Sequence, residues 1–88
     1  MGRYAVQLKP SADKALARLP ADVQRRMVLA LEDLGGNPHP PGGKKLAGDD
    51  NLWRIRVGAY RAVYEIHDRP PLVMVLRVAH RKDAYREK

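Results

Sequence analysis

The chain contains no cysteine. That excludes a disulfide framework and a zinc–thiolate site, and it fits a reducing compartment. Met1–Lys9 has no apolar run long enough for a signal peptide, and no segment is long and apolar enough to span a bilayer, so the reading is a cytoplasmic chain with no membrane partner. Ser11 is the only serine, and no candidate base accompanies it, so serine nucleophilic chemistry has no footing. His39, His67 and His80 lack ligand-like spacing and a paired carboxylate, which argues against a metal site. Gly42-Gly43-Lys44 lacks the spacing and the preceding strand of a phosphate loop. Repeats and low-complexity tracts are missing too, and no cofactor is implied.

What is abundant is positive charge. The 88 residues read as one domain, 1–88, with a net charge of +7. Residues 52–88 hold nine Lys/Arg against four Asp/Glu, so most of the excess lies in the second half. Such a half points to nucleic acid or to an acidic protein partner.

Leu52 to Tyr64 reads as two strands joined by a tight turn at Gly58-Ala59, where glycine at the first central position suits a type II′ hairpin. That turn pairs Val57 with Tyr60, Arg56 with Arg61, Ile55 with Ala62, Arg54 with Val63 and Trp53 with Tyr64. Alternation then puts Trp53, Ile55, Val57, Tyr60, Ala62 and Tyr64 on one face and Arg54, Arg56 and Arg61 on the other. Like charges directly opposite each other destabilise a sheet, so the Arg56/Arg61 pair is not there for folding. Guanidinium forks in that arrangement suit phosphate.

The rest of the chain builds around this hairpin. Arg3 to Lys9 alternates as a half-buried strand with Tyr4, Val6 and Leu8 inward. Ser11 reads as the cap of a first helix, which has Asp13 in its first turn and a stripe of Ala12, Ala15, Leu16 and Leu19. Pro20 breaks it, and a second helix spans about Ala21 to Leu34, with Val23, Met27, Ala30, Leu31 and Leu34 inward. Residues 35–51, rich in glycine and proline, read as a loop without regular structure, mobile or functional. Arg69-Pro70-Pro71 turns the chain into a last strand, Leu72 to Ala79, apolar on both faces except at Arg77 and therefore internal. A four-residue turn at 68–71 puts His80 beside the arginines, whereas a five-residue turn puts the face of Arg81 there. The expected architecture is α+β, β-α-α-β-β-β, an antiparallel-rich four-stranded sheet packed against an αα-hairpin.

This inventory fits RNA cleavage, because RNA supplies its own nucleophile in the 2′-hydroxyl. The protein has only to orient it, accept a proton and stabilise a charged phosphorane. Arg54, Arg56 and Arg61 suit that stabilisation, His80 could accept the proton, and Tyr85 could stack on a splayed base. Lys44, Lys45, Arg77 and Lys82 add a candidate RNA- or ribosome-binding set.

Trp53-Arg54-Ile55-Arg56-Val57-Gly58-Ala59-Tyr60-Arg61-Ala62-Val63-Tyr64, followed by Leu76-Arg77-Val78-Ala79-His80-Arg81-Lys82-Asp83-Ala84-Tyr85-Arg86, resembles the RelE branch of the RelE/ParE toxin family. The resemblance implies the toxin of a type II toxin–antitoxin pair, an mRNA interferase that cuts mRNA in the 30S A site and is held by an acidic RelB-like antitoxin in a hetero-oligomer. It also implies that Arg61 and Arg81 stabilise the transition state and assist the leaving group, and that Tyr85 orients the base. Arg54 and Arg56 occupy places where related toxins carry lysines. Because arginine stays protonated, Arg54 is a poor base and His80 the better candidate, with charge stabilisation by the arginines alone as the alternative. The rivals are a ParE-like toxin that acts on DNA gyrase and a non-catalytic RNA- or ribosome-binding module.

Overall fold

Pro10 decides how the chain leaves its first strand. In this computed structural model, which describes residues 3–40, 43–46 and 51–82, β1 (Ala5–Leu8) is followed at once by α1 (Pro10–Ala17). Proline occupies the first helical position, where its missing N–H would have no intrahelical partner and its fixed φ already suits the helix. Lys9 therefore takes the N-cap position without a side-chain cap, and Ser11 lies inside the helix, correcting the expectation that Ser11 is the cap. The first helical bond runs from the Asp13 N–H to the Lys9 carbonyl, 2.9 Å.

Pro20 ends that turn and caps α2 (Ala21–Gly36), which runs two residues past the expected Leu34. The extension has a cause. The Gly35 carbonyl accepts the N–H groups of Arg3 and Tyr4 at 2.8 and 2.9 Å, locking the end of α2 onto the start of β1. A Cβ at Gly35 would stand 2.9 Å from the Tyr4 carbonyl oxygen, so only glycine allows this approach. The Gln24 side-chain amide donates to the Leu16 carbonyl at 3.1 Å and ties the two helices together.

Among the described residues the sheet has five strands rather than four: β2 (Lys44–Lys45), β3 (Trp53–Val57), β4 (Tyr60–Asp68) and β5 (Pro71–His80) join β1 in the order β1-β5-β4-β3-β2. Only β1 and β5 run parallel. The extra strand corrects the reading of 35–51 as plain loop. Two residues are too few to show a period, and β2 exists because its surroundings hold it. Lys44 and Lys45 pair with Arg54 and Trp53, the His39 ring packs edge-on against Trp53 at 4.7 Å, and the Tyr64 hydroxyl donates to the Pro38 carbonyl at 2.9 Å. Both helices cover one face of the sheet, where Met27, Leu31 and Leu34 pack over Ala62, Tyr64, Val73 and Val75. Among the described residues no helix is long and apolar enough to cross a membrane.

Tyr64 carries a measurable consequence. It is fully buried, and burial pushes its phenol from 10.0 up to about 12. The fold therefore prefers the neutral phenol. This contribution is complete below the unfolded value near pH 10 and is lost as pH climbs to about 12. Stability in urea should fall across that window with an added slope of at most about 1.4 kcal/mol per pH unit. Tyr64→Phe should lack that added slope and lose about 1 kcal/mol at neutral pH, through the missing bond to Pro38. Identical alkaline slopes for parent and variant would rule this out.

Candidate functional site

The β3–β4 hairpin has the register that alternation and the Gly58-Ala59 turn predict, residue for residue from Trp53↔Tyr64 to Val57↔Tyr60. Gly58 takes φ 59°, and no described residue other than glycine has positive φ, as a type II′ turn requires. Ile55, Val57, Ala62 and Tyr64 are buried under the helices. On the opposite face Arg56 is exposed and Arg61, directly across from it, is half-buried. At such positions the Cβ atoms lie roughly 5 Å apart, close enough for one phosphate to engage both guanidinium groups.

Arg54 departs from an ordinary surface arginine. It is only 7 % exposed, and its Nε is buried without a hydrogen-bond acceptor among the described residues. An unsatisfied buried donor costs about 1–3 kcal/mol, and a charged group more. An anionic oxygen delivered by a ligand would relieve that cost.

The far side of the face is set by an irregularity that the sequence does not reveal. β5 leaves a four-residue turn with Asp68 opposite Pro71, one of the two turns considered from sequence. A regular ladder from that turn would place Leu76 across from Val63 and bring His80 to the arginine face. Instead the register shifts at Val63/Tyr64, and Leu76 has no partner on β4. Every later residue is displaced by one, so Arg77 faces Val63, Ala79 faces Arg61 and His80 faces Tyr60. A bulge re-aims side chains in this way. Arg77 thereby joins Arg54, Arg56 and Arg61, and Arg81 follows one residue past the end of β5. The Arg81 N–H donates to the Ala59 carbonyl at 2.7 Å, which anchors that segment at the hairpin tip.

The expectation that His80 stands beside the arginines is corrected by the same shift. Its ring lies edge-on to Tyr60 at 5.2 Å, and its Nδ1 accepts the Lys82 N–H at 3.2 Å. Lys44, across from Arg54, belongs to the arginine face, whereas Lys45 pairs with Trp53 and holds its Nζ 5.8 Å from that ring's centroid. Lys82 is exposed at the end of the described chain, and Tyr85 lies outside the described residues. Toward the other end of β4 the face changes character. Glu65 and His67, 3.1 Å apart, lie about 13 and about 20 Å along the strand from Arg61. Among the described residues no three His, Asp or Glu side chains gather as a metal ion would need.

Sequence reasoning missed the Leu76 bulge, the burial of Arg54 and the reach of Arg26 to the hairpin tip. A Cβ at Gly58 would stand 3.6 Å from the Arg26 Nη2. No local signal announces the bulge, because β5 is apolar on both faces and either parity reads equally well.

Known proteins share this fold. The family described as the ParE toxin of type II toxin–antitoxin systems matches residues 6–85. The chain is 36 % identical over 87 residues to the toxin RelG of Mycobacterium tuberculosis, covering 94 % of this chain and 97 % of that one. It is 35 % identical over 85 residues to the toxin RelE of the same organism, covering 94 % and 87 %. Among solved structures, the fold matches the RelE–RelB complex from Pyrococcus horikoshii with a TM-score of 0.80 at 29 % identity, over 93 % of this chain and 99 % of that one. It matches the RelBE2 toxin–antitoxin complex from Mycobacterium tuberculosis with a TM-score of 0.77 at 31 % identity, over 89 % and 98 %. The chain with the arginine-faced hairpin belongs to the RelE/ParE family of type II toxin–antitoxin toxins, on its RelE side.

Proposed function

We infer that this toxin is a ribosome-dependent endoribonuclease that cuts mRNA in the A site and so stops translation. The observation that carries the reading is the convergence of Arg54, Arg56, Arg61 and Arg77 on one sheet face, with Arg56 and Arg61 directly opposed and Arg54 buried. Packing alone does not favour such a cluster, and a phosphodiester compensates it. In the reaction the 2′-oxygen forms a bond to the adjacent phosphorus, the bond from phosphorus to the 5′-oxygen breaks, and the products end in a 2′,3′-cyclic phosphate and a 5′-hydroxyl. The proton leaves the 2′-hydroxyl as that bond forms, and one is added to the departing 5′-oxygen. The arginines hold the scissile phosphate and stabilise the extra negative charge of the phosphorane. Short Ala79, across from Arg61, leaves the phosphate room to approach.

With His80 on the other face, catalysis rests on positioning and charge stabilisation rather than on an imidazole base. His80→Gln should therefore cleave within a few-fold of the parent rate. A loss of two to four orders of magnitude, the size of a general-base contribution, would restore His80 to that role.

The partner that restrains such a toxin is an acidic RelB-like antitoxin in a cytoplasmic hetero-oligomer, masking the arginine face, and the complex weakens as salt is added. The matched family carries the ParE name, so a gyrase-directed toxin is the second reading. The two separate on purified protein mixed with mRNA-programmed ribosomes. Cyclic-phosphate ends within the A-site codon support cleavage. Intact mRNA, with supercoiling by gyrase inhibited, supports the second reading.

A further inference from the structure

The outer edge of β3 is left open beyond its short partner. β2 pairs with Trp53 and Arg54 only, and among the described residues no strand lies on the outer side of Ile55 to Val57, across from β4. α2 lies over the sheet and approaches β3 here through Ala30 and Asp33. An open groove of about 190 Å³ lies between them, lined by Ala30, Asp33, Pro40, Ile55 and Arg56. Arg26, Ala30 and Asp33 share one stripe of the helix by their spacing. The Arg26 guanidinium lies over the hairpin turn, its Nη2 3.6 Å from where a Gly58 Cβ would be. Arg26 and Arg56 are both exposed, and neither pairs with a carboxylate among the described residues.

We propose that this groove is a second RNA subsite, which takes one unstacked nucleotide of single-stranded RNA beside the face that holds the scissile phosphate. The base enters between Ala30, Pro40 and Ile55, where apolar walls suit the flat face of any base. Its flanking phosphates reach Arg26 on the helix side and Arg56 on the opposite side of the hairpin. The Asp33 carboxylate accepts from an exocyclic amine, as acidic side chains do with cytosine, and so disfavours uracil. The phosphates on either side of that base give both flanking guanidinium groups a counter-charge, which commits the groove to RNA. The proposal rests on the ribonuclease reading only for the origin of the RNA.

The test measures binding of short, unstructured, fluorescein-labelled oligoribonucleotides by anisotropy across a salt series, beside cleavage on programmed ribosomes. Arg26→Ala should weaken binding about threefold to tenfold and flatten the salt slope by about 0.7–1, the share of one phosphate contact. Its maximal cleavage rate should stay at the parent level while the half-saturating concentration rises. Oligo(C) should bind more tightly than oligo(U), and Asp33→Asn should erase that difference. Unchanged affinity and salt slope in Arg26→Ala, or no binding by the parent, overturns the subsite while leaving cleavage intact. Weakening of the antitoxin complex alone overturns it too and assigns the groove to the antitoxin. A parent that binds RNA through Arg26 but cuts nothing overturns the ribonuclease reading and leaves the subsite standing.

Discussion

Arg61→Ala is expected to abolish growth arrest on induction and to lower single-turnover cleavage by roughly two to three orders of magnitude. That is the typical loss when one preorganised group is removed from a developing oxyanion. Arg61 lies at the centre of the cluster, across from Arg56 on one side and Ala79 on the other. Substitution leaves Ile55, Ala62 and Tyr64 buried on the other face, so the core is untouched. It also removes a like-charge pair, which offsets part of whatever contact is lost. The urea midpoint should therefore move little while activity collapses. A variant that remains fully toxic would show that the arginine face is not the working surface.

Arg54→Met is expected to move stability and activity in opposite directions. The parent buries a guanidinium whose Nε has no acceptor among the described residues. A methionine of similar length keeps the apolar stem and removes the buried charge together with its unsatisfied Nε–H donor. Replacing poorly compensated buried charges by apolar groups is often stabilising by about 1–4 kcal/mol. In a domain this small, even 1 kcal/mol raises the thermal midpoint by about 4–8 °C. Cleavage should fall at least tenfold, because the group that a phosphate oxygen would satisfy is gone. A destabilised variant would mean that Arg54 is a structural residue. A stabilised variant with full activity would mean that its burial serves no ligand.

How much of this was legible in the sequence depends on whether the two parities of a segment differ. Along Trp53–Tyr64 one parity is apolar and the other basic, and a glycine opens the turn, so pairing and facing could both be read residue by residue. Along Leu72–Ala79 both parities are apolar, and a slip of one residue leaves no trace. That is why Arg77 could be placed in the candidate set but not on a face, and why the choice between His80 and the face of Arg81 stays open from sequence. The lysines of β2 were legible as charges, but not as a strand, because two residues held by a neighbour's backbone have no period of their own. Pro10 outcompeted Ser11 at the helix start for a local reason: a ring that fixes φ needs no cap to begin a helix. Burial of Arg54 had no signal at all. It depends on what lies over the sheet, which alternation does not describe.

Cleavage of translated mRNA is tested most directly by mapping mRNA 5′ ends after induction from a tight promoter, with and without translation of the mapped message. New 5′-hydroxyl ends are expected inside translated codons within minutes. They should vanish when the start codon is removed and be missing in Arg61→Ala. Ends that persist on the untranslated message, or growth arrest without any new ends, would contradict cleavage of translated mRNA.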